Sequence, residues 1–207
     1  MRKIVVIQHC QSENHINNMT GGWTDTPLTE LGRNQAELIG LKLKKDLEGE
    51  SYTIYSSDLM RAKQTANIVA RHLNLNVIEE IDLREINTGV AAGKTKNWAR
   101  EHRNPRLIKE FYLDYQEFQD GETWRQFYIR VCEVMKMICD LDKGNIIIVT
   151  HGCTLSYIIA WWMNFESDML GKAYFSAQPG SISVLQQNNY KQNVLTLIND
   201  RSHLSGL

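Results

Sequence analysis

Two histidines stand at the ends of apolar runs and are the first residues in the chain whose type and setting suit chemistry. His9 follows the run in "RKIVVIQHCQS" (residues 2–12), and His151 closes the run in "NIIIVTHGC" (residues 145–153). A neutral imidazole is a good nucleophile near pH 7 and also a zinc ligand. A structural histidine with satisfied hydrogen bonds fits the same positions. Cysteines lie close to both rings, so His9, Cys10, His15, His151 and Cys153 together hold the donors of a transition-metal site. The four cysteines, Cys10, Cys132, Cys139 and Cys153, form no CxxC pair, which argues against a zinc ribbon or a disulfide framework and for reduced thiols.

The elements around these histidines read as alternating strands and helices. Ile4, Val5, Val6 and Ile7 are apolar on both faces and too short a run for a helix, so they predict a fully buried strand; Ile146 to Val149 repeat the pattern. Each histidine then sits just past a strand's carboxyl end, the edge where open α/β sheets bind ligands. From Thr29, Leu31, Ile39, Leu43 and Leu47 recur at helical spacing. "YTIYS" (52–56) predicts a strand, and "SDLMRAKQTANIVARHL" after it predicts a helix capped by Ser57 or Asp58. "NVIEE" predicts a short strand. "ETWRQFYIRVCEVMKMICDL" predicts a long helix with Trp124, Phe127, Val131, Met135 and Ile138 on one stripe, where Cys132 and Cys139 are packing residues. "SISVLQQ" and "NVLTLIN" predict a closing antiparallel hairpin. Between the short strand and the long helix, residues 84–120 are charged, aromatic and aperiodic, which suggests a cap or lid over the sheet edge. The sum is a three-layer α/β/α sandwich with a mostly parallel sheet.

At 207 residues and 43% hydrophobic content the chain can bury a core as a single domain, residues 1–207. A net charge of −1 gives no field that would draw nucleic acid or an acidic membrane surface, so small-molecule or protein partners are expected. Without an apolar leader at residues 1–8 or a spanning segment, a cytoplasmic location is expected. A homodimer is left open.

Six segments, "IQHCQS", "TGGWTDTPLTELGRNQA", "YSSDLMRAKQTA", "LREINTG", "GETWRQFYIRV" and "VTHGC", resemble in order and spacing the histidine phosphatase superfamily, in its phosphoglycerate-mutase-like branch. The resemblance runs from residue 4 to about 160. It implies that His9 attacks phosphorus and carries the phosphoryl group. It further implies that Arg61 and His151 donate to the phosphoryl oxygens, and that Glu85 protonates the leaving oxygen and then activates water. Ser12 and the Gly22 main chain match further phosphate contacts. No metal or other cofactor is implied. Residues 87–120 fall at the family's lid.

The sequence also departs from the family pattern. Gln8 stands in place of the arginine before the nucleophile, Cys10 in place of the following glycine, His15 in place of an asparagine, and Cys153 in place of a second glycine after His151. Gln8 offers only a neutral amide, and losing one preorganised charged donor costs about 10²- to 10³-fold in rate. A protonated His15, or Lys94, Lys96, Arg100 or Arg103 from the lid, would restore the charge. The expected function is a metal-independent phosphomonoesterase acting on a small phosphorylated metabolite. The alternative is a catalytically impaired member that binds a phosphorylated ligand or a protein partner. The chain is shorter than the branch's mutases and lacks their proline-rich segment, which favours a phosphatase over a mutase. Because both cysteines follow a histidine, the reading also places Cys10 and Cys153 near each other, within reach of an oxidative disulfide.

Overall fold

A computed structural model describes residues 2–207. In chain order the elements are β1 (Lys3–Gln8), α1 (Glu13–Ile16), α2 (Glu30–Asp46), β2 (Tyr52–Ser56), α3 (Met60–Leu73), β3 (Val77–Glu79), α4 (Lys96–Glu101), α5 (Trp124–Leu141), β4 (Asn145–Thr150), α6 (Gly152–Trp162), β5 (Ile182–Gln187) and β6 (Asn193–Asp200). The strands form one six-stranded sheet in the order β3-β2-β4-β1-β5-β6. β1, β2, β3 and β4 are parallel, and β5 runs antiparallel to β1 and β6.

Alternation along the strands builds the three layers. Ile4, Val6, Ile146 and Ile148 pack with α5 and α6, while Val5, Ile7, Ile147 and Val149 pack with α2 and α3. All eight are at most 1% exposed. Each such side chain contributes roughly 1.5–3 kcal/mol of apolar burial, which fixes β1 and β4 at the centre of the sheet. The register pairs Gln8 with Thr150, so the chain leaves both strands side by side.

Three local expectations need correction. Leu31 is 39% exposed. Two steps of four residues rotate it roughly 80° from Ile39 on a 3.6-residue helix, which puts it beyond the buried stripe of Gly32, Ala36, Ile39 and Leu43. The N-cap of α3 is Leu59. Ser57 Oγ accepts the Leu59 N–H at 3.3 Å, and Asp58 turns instead to Arg84. Residues 84–120 hold a single 3-10 turn at Gly89–Ala91 and one α-helix, α4, capped by Thr95, whose Oγ1 accepts the Trp98 N–H at 3.1 Å. Ala91, Ala99 and Phe118 form a small core there. Backbone bonds from Thr20 to Lys94 and from Lys96 to Asn18 tie this segment to the loop after α1. Among the described residues no helix is long and apolar enough to cross a membrane.

Candidate active site

The register that pairs Gln8 with Thr150 continues into His9 and His151. The His9 N–H donates to the Thr150 carbonyl at 2.8 Å, and the two ring centroids lie 5.0 Å apart. Both rings are buried, 4% and 1% exposed. His9 Nδ1 lies 2.8 Å from the Cys10 carbonyl oxygen. A carbonyl can only accept, so Nδ1 carries the proton and Nε2 keeps its lone pair. That lone pair accepts the Arg61 Nε–H at 3.1 Å. Burial first, and the Arg61 charge next, hold His9 well below its ordinary pKa of 6.5, so the ring is neutral.

Arg61 enters from the first turn of α3 and is 1% exposed. Besides His9, it donates from Nη1 to the Thr24 carbonyl at 2.7 Å and from Nη2 to the Gly22 carbonyl at 2.8 Å. These partners are neutral, so they hold the guanidinium without cancelling its charge. Burial lowers its pKa to about 10, leaving it cationic at pH 7. Gly22 has φ +58°, and a Cβ there would lie 2.5 Å from the Thr88 side chain. Only glycine turns this carbonyl toward Arg61 without a clash. His151 Nε2 lies 2.9 Å from Ser57 Oγ, and its buried Nδ1 has no partner among the described residues. Burial and Arg61 push its pKa well down too.

Glu85 lies over the start of α6. Its Oε2 accepts the Cys153 N–H at 3.0 Å, and its Oε1 accepts the Thr154 N–H at 3.2 Å. Its main chain is clamped: the Glu85 carbonyl accepts Trp23 Nε1–H at 2.8 Å and Arg130 Nη2–H at 3.2 Å. Arg130 is in turn paired with Glu122, and Arg84 with Asp58. Sequence reasoning named none of Trp23, Thr24 and Arg130 as site residues. Their signal was present, since each lies inside or beside a quoted segment, but their contacts run through main-chain carbonyls that no side-chain pattern encodes.

Residues 4–200 match the model of the histidine phosphatase superfamily, branch 1. The chain belongs to that superfamily. It is 38% identical over 168 residues to a 2,3-bisphosphoglycerate-dependent phosphoglycerate mutase of Bartonella henselae, covering 76% of this chain and 80% of that one. It is 30% identical over 161 residues to a metal-independent phosphoserine phosphatase of Arabidopsis thaliana, covering 75% of this chain but 66% of that protein, just under two thirds of its length. Its fold matches that of Bacillus stearothermophilus YhfR with a TM-score of 0.80 and 26% identity, over 99% of this chain and 100% of that one.

For a histidine phosphatase the departures now have places. Gln8 is 7% exposed, its Oε1 has no partner among the described residues, and its amide lies 3.5 Å from where a Cβ on Gly152 would sit. It therefore points toward the start of α6. His15 stacks on His9, with centroids 5.5 Å apart and planes within 16°. The expectation that His15 supplies a cation is not met. Its Nδ1 accepts the Ser12 N–H at 3.0 Å, and burial, Arg61 and Lys96 lower its pKa. Ser12 Oγ donates to Asn14 Oδ1 at 2.6 Å, so Ser12 organises α1. Of the lid cations, Lys96 is the one whose charge reaches His15, whereas Lys94 lies over the Trp98 ring and Arg103 pairs with Glu117.

The two cysteines do not meet. Cys10 is packed in the α2 and α3 layer and Cys153 in the opposite α5 and α6 layer. The sheet separates them, which overturns both the local disulfide and the five-residue metal cluster. Burial pushes the Cys10 thiol up to about 12 and raises that of Cys153, so neither is a ready thiolate. Among the described residues no group of three or more His, Cys, Asp or Glu is placed to hold a metal ion.

Proposed function

We propose that this histidine phosphatase is a metal-independent phosphomonoesterase that acts on a small phosphorylated metabolite through a phosphohistidine at His9. The observation that carries the reading is the fixed tautomer of His9: Nδ1–H is held by the Cys10 carbonyl, and the Nε2 lone pair faces the Arg61 guanidinium. Nε2 attacks phosphorus as the ester P–O bond breaks, and Glu85 gives its carboxyl proton to the leaving oxygen. Water then attacks the phosphohistidine and passes a proton to the Glu85 carboxylate. The P–N bond breaks, inorganic phosphate leaves, and His9 is restored. Arg61 and His151 stabilise the charge on the phosphoryl oxygens. The Gln8 amide, the Gly22 N–H and the His15 Nε2–H complete the ring of donors, with Ser12 holding His15. Residues 1–207 act as one domain in which 87–120 form the lid.

Hydrolysis rather than mutase chemistry is favoured by the cations around Glu85. A mutase must also grip a second charged group of its substrate, yet Arg84 is committed to Asp58 and Arg130 to Glu122. The test is to quench the protein during turnover of an aryl phosphate with chelator present. Acid-labile, base-stable phosphate is expected on His9. A rate unchanged by His9→Ala overturns the mechanism. A second reading, a slow member that mainly binds a phosphorylated ligand, rests on the neutral amide of Gln8; tight phosphate binding without turnover would favour it.

A further inference from the structure

A pocket of about 380 Å³, of a size that holds a small ligand, lies on the Glu85 side of the sheet, lined chiefly by Phe111, Trp124, Tyr157, Leu170, Lys172 and Tyr174. It is joined to the catalytic acid by short contacts. Tyr174 donates from its hydroxyl to Cys153 Sγ at 3.5 Å, and the Cys153 N–H donates to Glu85 Oε2 at 3.0 Å. Tyr157 follows Cys153 by one turn of α6 and so lies on the same helix face. The walls are a tilted aromatic array: Phe111 and Trp124 centroids are 5.6 Å apart, and Trp124 and Tyr157 centroids are 6.2 Å apart. Among the described residues, the one charged residue in the lining is Lys172, which Asp168 engages at 3.4 Å.

We infer that this pocket receives the leaving group of the substrate, and that the chain takes phosphate monoesters whose alcohol carries a flat aromatic or bulky apolar group. The inference rests on the phosphatase reading, because it is Glu85 as proton donor that fixes which side the leaving oxygen faces. Tilted and edge-on aromatic walls bind such a group through its area, and for a carboxylate the lining holds Lys172 alone among the described residues, already engaged by Asp168. Cys153 fits the same account. Where the family has glycine, a half-buried thiol adds polarizable apolar surface between Glu85 and Tyr174. The protonated alcohol leaves into this pocket, and the hydrolytic water reaches phosphorus after it departs.

Binding of three phosphonates, followed by calorimetry, tests the pocket without turnover: propylphosphonate, naphthylpropylphosphonate and carboxyethylphosphonate. The naphthyl compound is expected to bind roughly 100-fold tighter than the propyl one, the effect of burying a bicyclic ring. The carboxylate compound should bind no tighter than the propyl one. Phe111→Ser and Tyr174→Ser change partly exposed residues, at 38% and 54% exposure, and should cut the naphthyl preference to below about tenfold. Wild-type affinities for the naphthyl and propyl compounds within about threefold of each other, or tighter binding of the carboxylate compound, overturn the proposal. Hydrolysis of the matching esters separates it from the underlying reading. Naphthyl preference without turnover keeps the pocket and sinks the phosphatase; turnover without preference does the reverse.

Discussion

The ends of β1 and β4 share one design and differ in wiring. Both are buried parallel strands that stop at a histidine, and both rings are neutral. At the β1 end every ring nitrogen has a partner, a main-chain carbonyl on Nδ1 and Arg61 on Nε2. At the β4 end a hydroxyl meets Nε2 and Nδ1 has no partner among the described residues. A carbonyl dictates a tautomer, whereas a hydroxyl can donate or accept. His9 is therefore committed to presenting a lone pair, as a nucleophile must. His151 keeps the choice open and suits a group that answers charge as it develops.

The largest expected effects probe that difference directly. His9→Ala should lower turnover of an aryl phosphate by about 10⁴-fold or more and abolish the trapped phosphoenzyme, because no other group takes over as nucleophile. His151→Ala should cost about 10²- to 10³-fold, as expected for one stabilising donor, and still leave label on His9. Stopped-time kinetics with acid and base quenches measure both. If the label moves to His151, or persists in His9→Ala, the two ends have been assigned the wrong way round.

Next in size is Glu85→Gln, which belongs to the β4 end because Glu85 sits on the first turn of α6. The amide keeps one acceptor for the helix N–H groups but has no carboxyl proton to give. A loss of about 10²- to 10³-fold is expected on an alkyl phosphate and a smaller one on nitrophenyl phosphate, whose leaving oxygen needs no proton. Equal losses on both would assign Glu85 a purely structural capping role.

A gain is expected at the β1 end. Gln8→Arg restores the family's cation and should raise the rate by roughly 10- to 10³-fold. His15 is neutral in the fold, so Gln8→Arg and His15→Asn should act additively, within about 0.5 kcal/mol. Coupling beyond that would mean that His15 carries charge at the site after all. If Gln8→Arg folds normally and gains nothing in either background, a missing cation is not what limits the enzyme.

The contrast between the two ends was partly legible in the sequence. A continuous apolar run ending in histidine occurs twice, and fully buried parallel strands leave that mark because both faces are covered. Which strands are neighbours is not written in any run. That His9 and His151 touch follows from the register of β1 and β4, set by packing across the whole sheet. The same limit explains the cysteines: Cys10 and Cys153 each sit near a histidine in sequence, but they lie on opposite faces of the sheet. Phase was misjudged only where a helix face ends, at Leu31. The six-residue helix α4 buries a single residue, Ala99, too little to impose a period. Site residues that act through side chains, His9, Arg61, Glu85 and His151, were legible by type. Those that act on carbonyls, Trp23 and Arg130, were not.

The smallest effect concerns stability, and it tests the neutrality that both ends share. His9, His151 and His15 all have native pKa values below 6.5, with burial the first cause in each. The unfolded chain takes up protons on these rings as pH falls through about 6.5 while the native rings stay neutral, so the unfolded state binds more protons there. Stability therefore rises with pH up to that point and is lost as pH falls below it. The depressed carboxylates Asp58 and Glu50 act in the same direction, but their window opens only below the ordinary carboxylate values of 3.8 and 4.5. Urea midpoints should be flat from about pH 7 to 8 and fall from about pH 6.5 to 5. His9→Gln and His151→Gln should each flatten that fall, His15→Asn less so because His15 is less enclosed than either. A midpoint that is the same at both ends of this range in the wild type would mean that the rings take up protons in the fold as readily as in the unfolded chain, and the burial that keeps the His9 lone pair free at about pH 6 would not be operating.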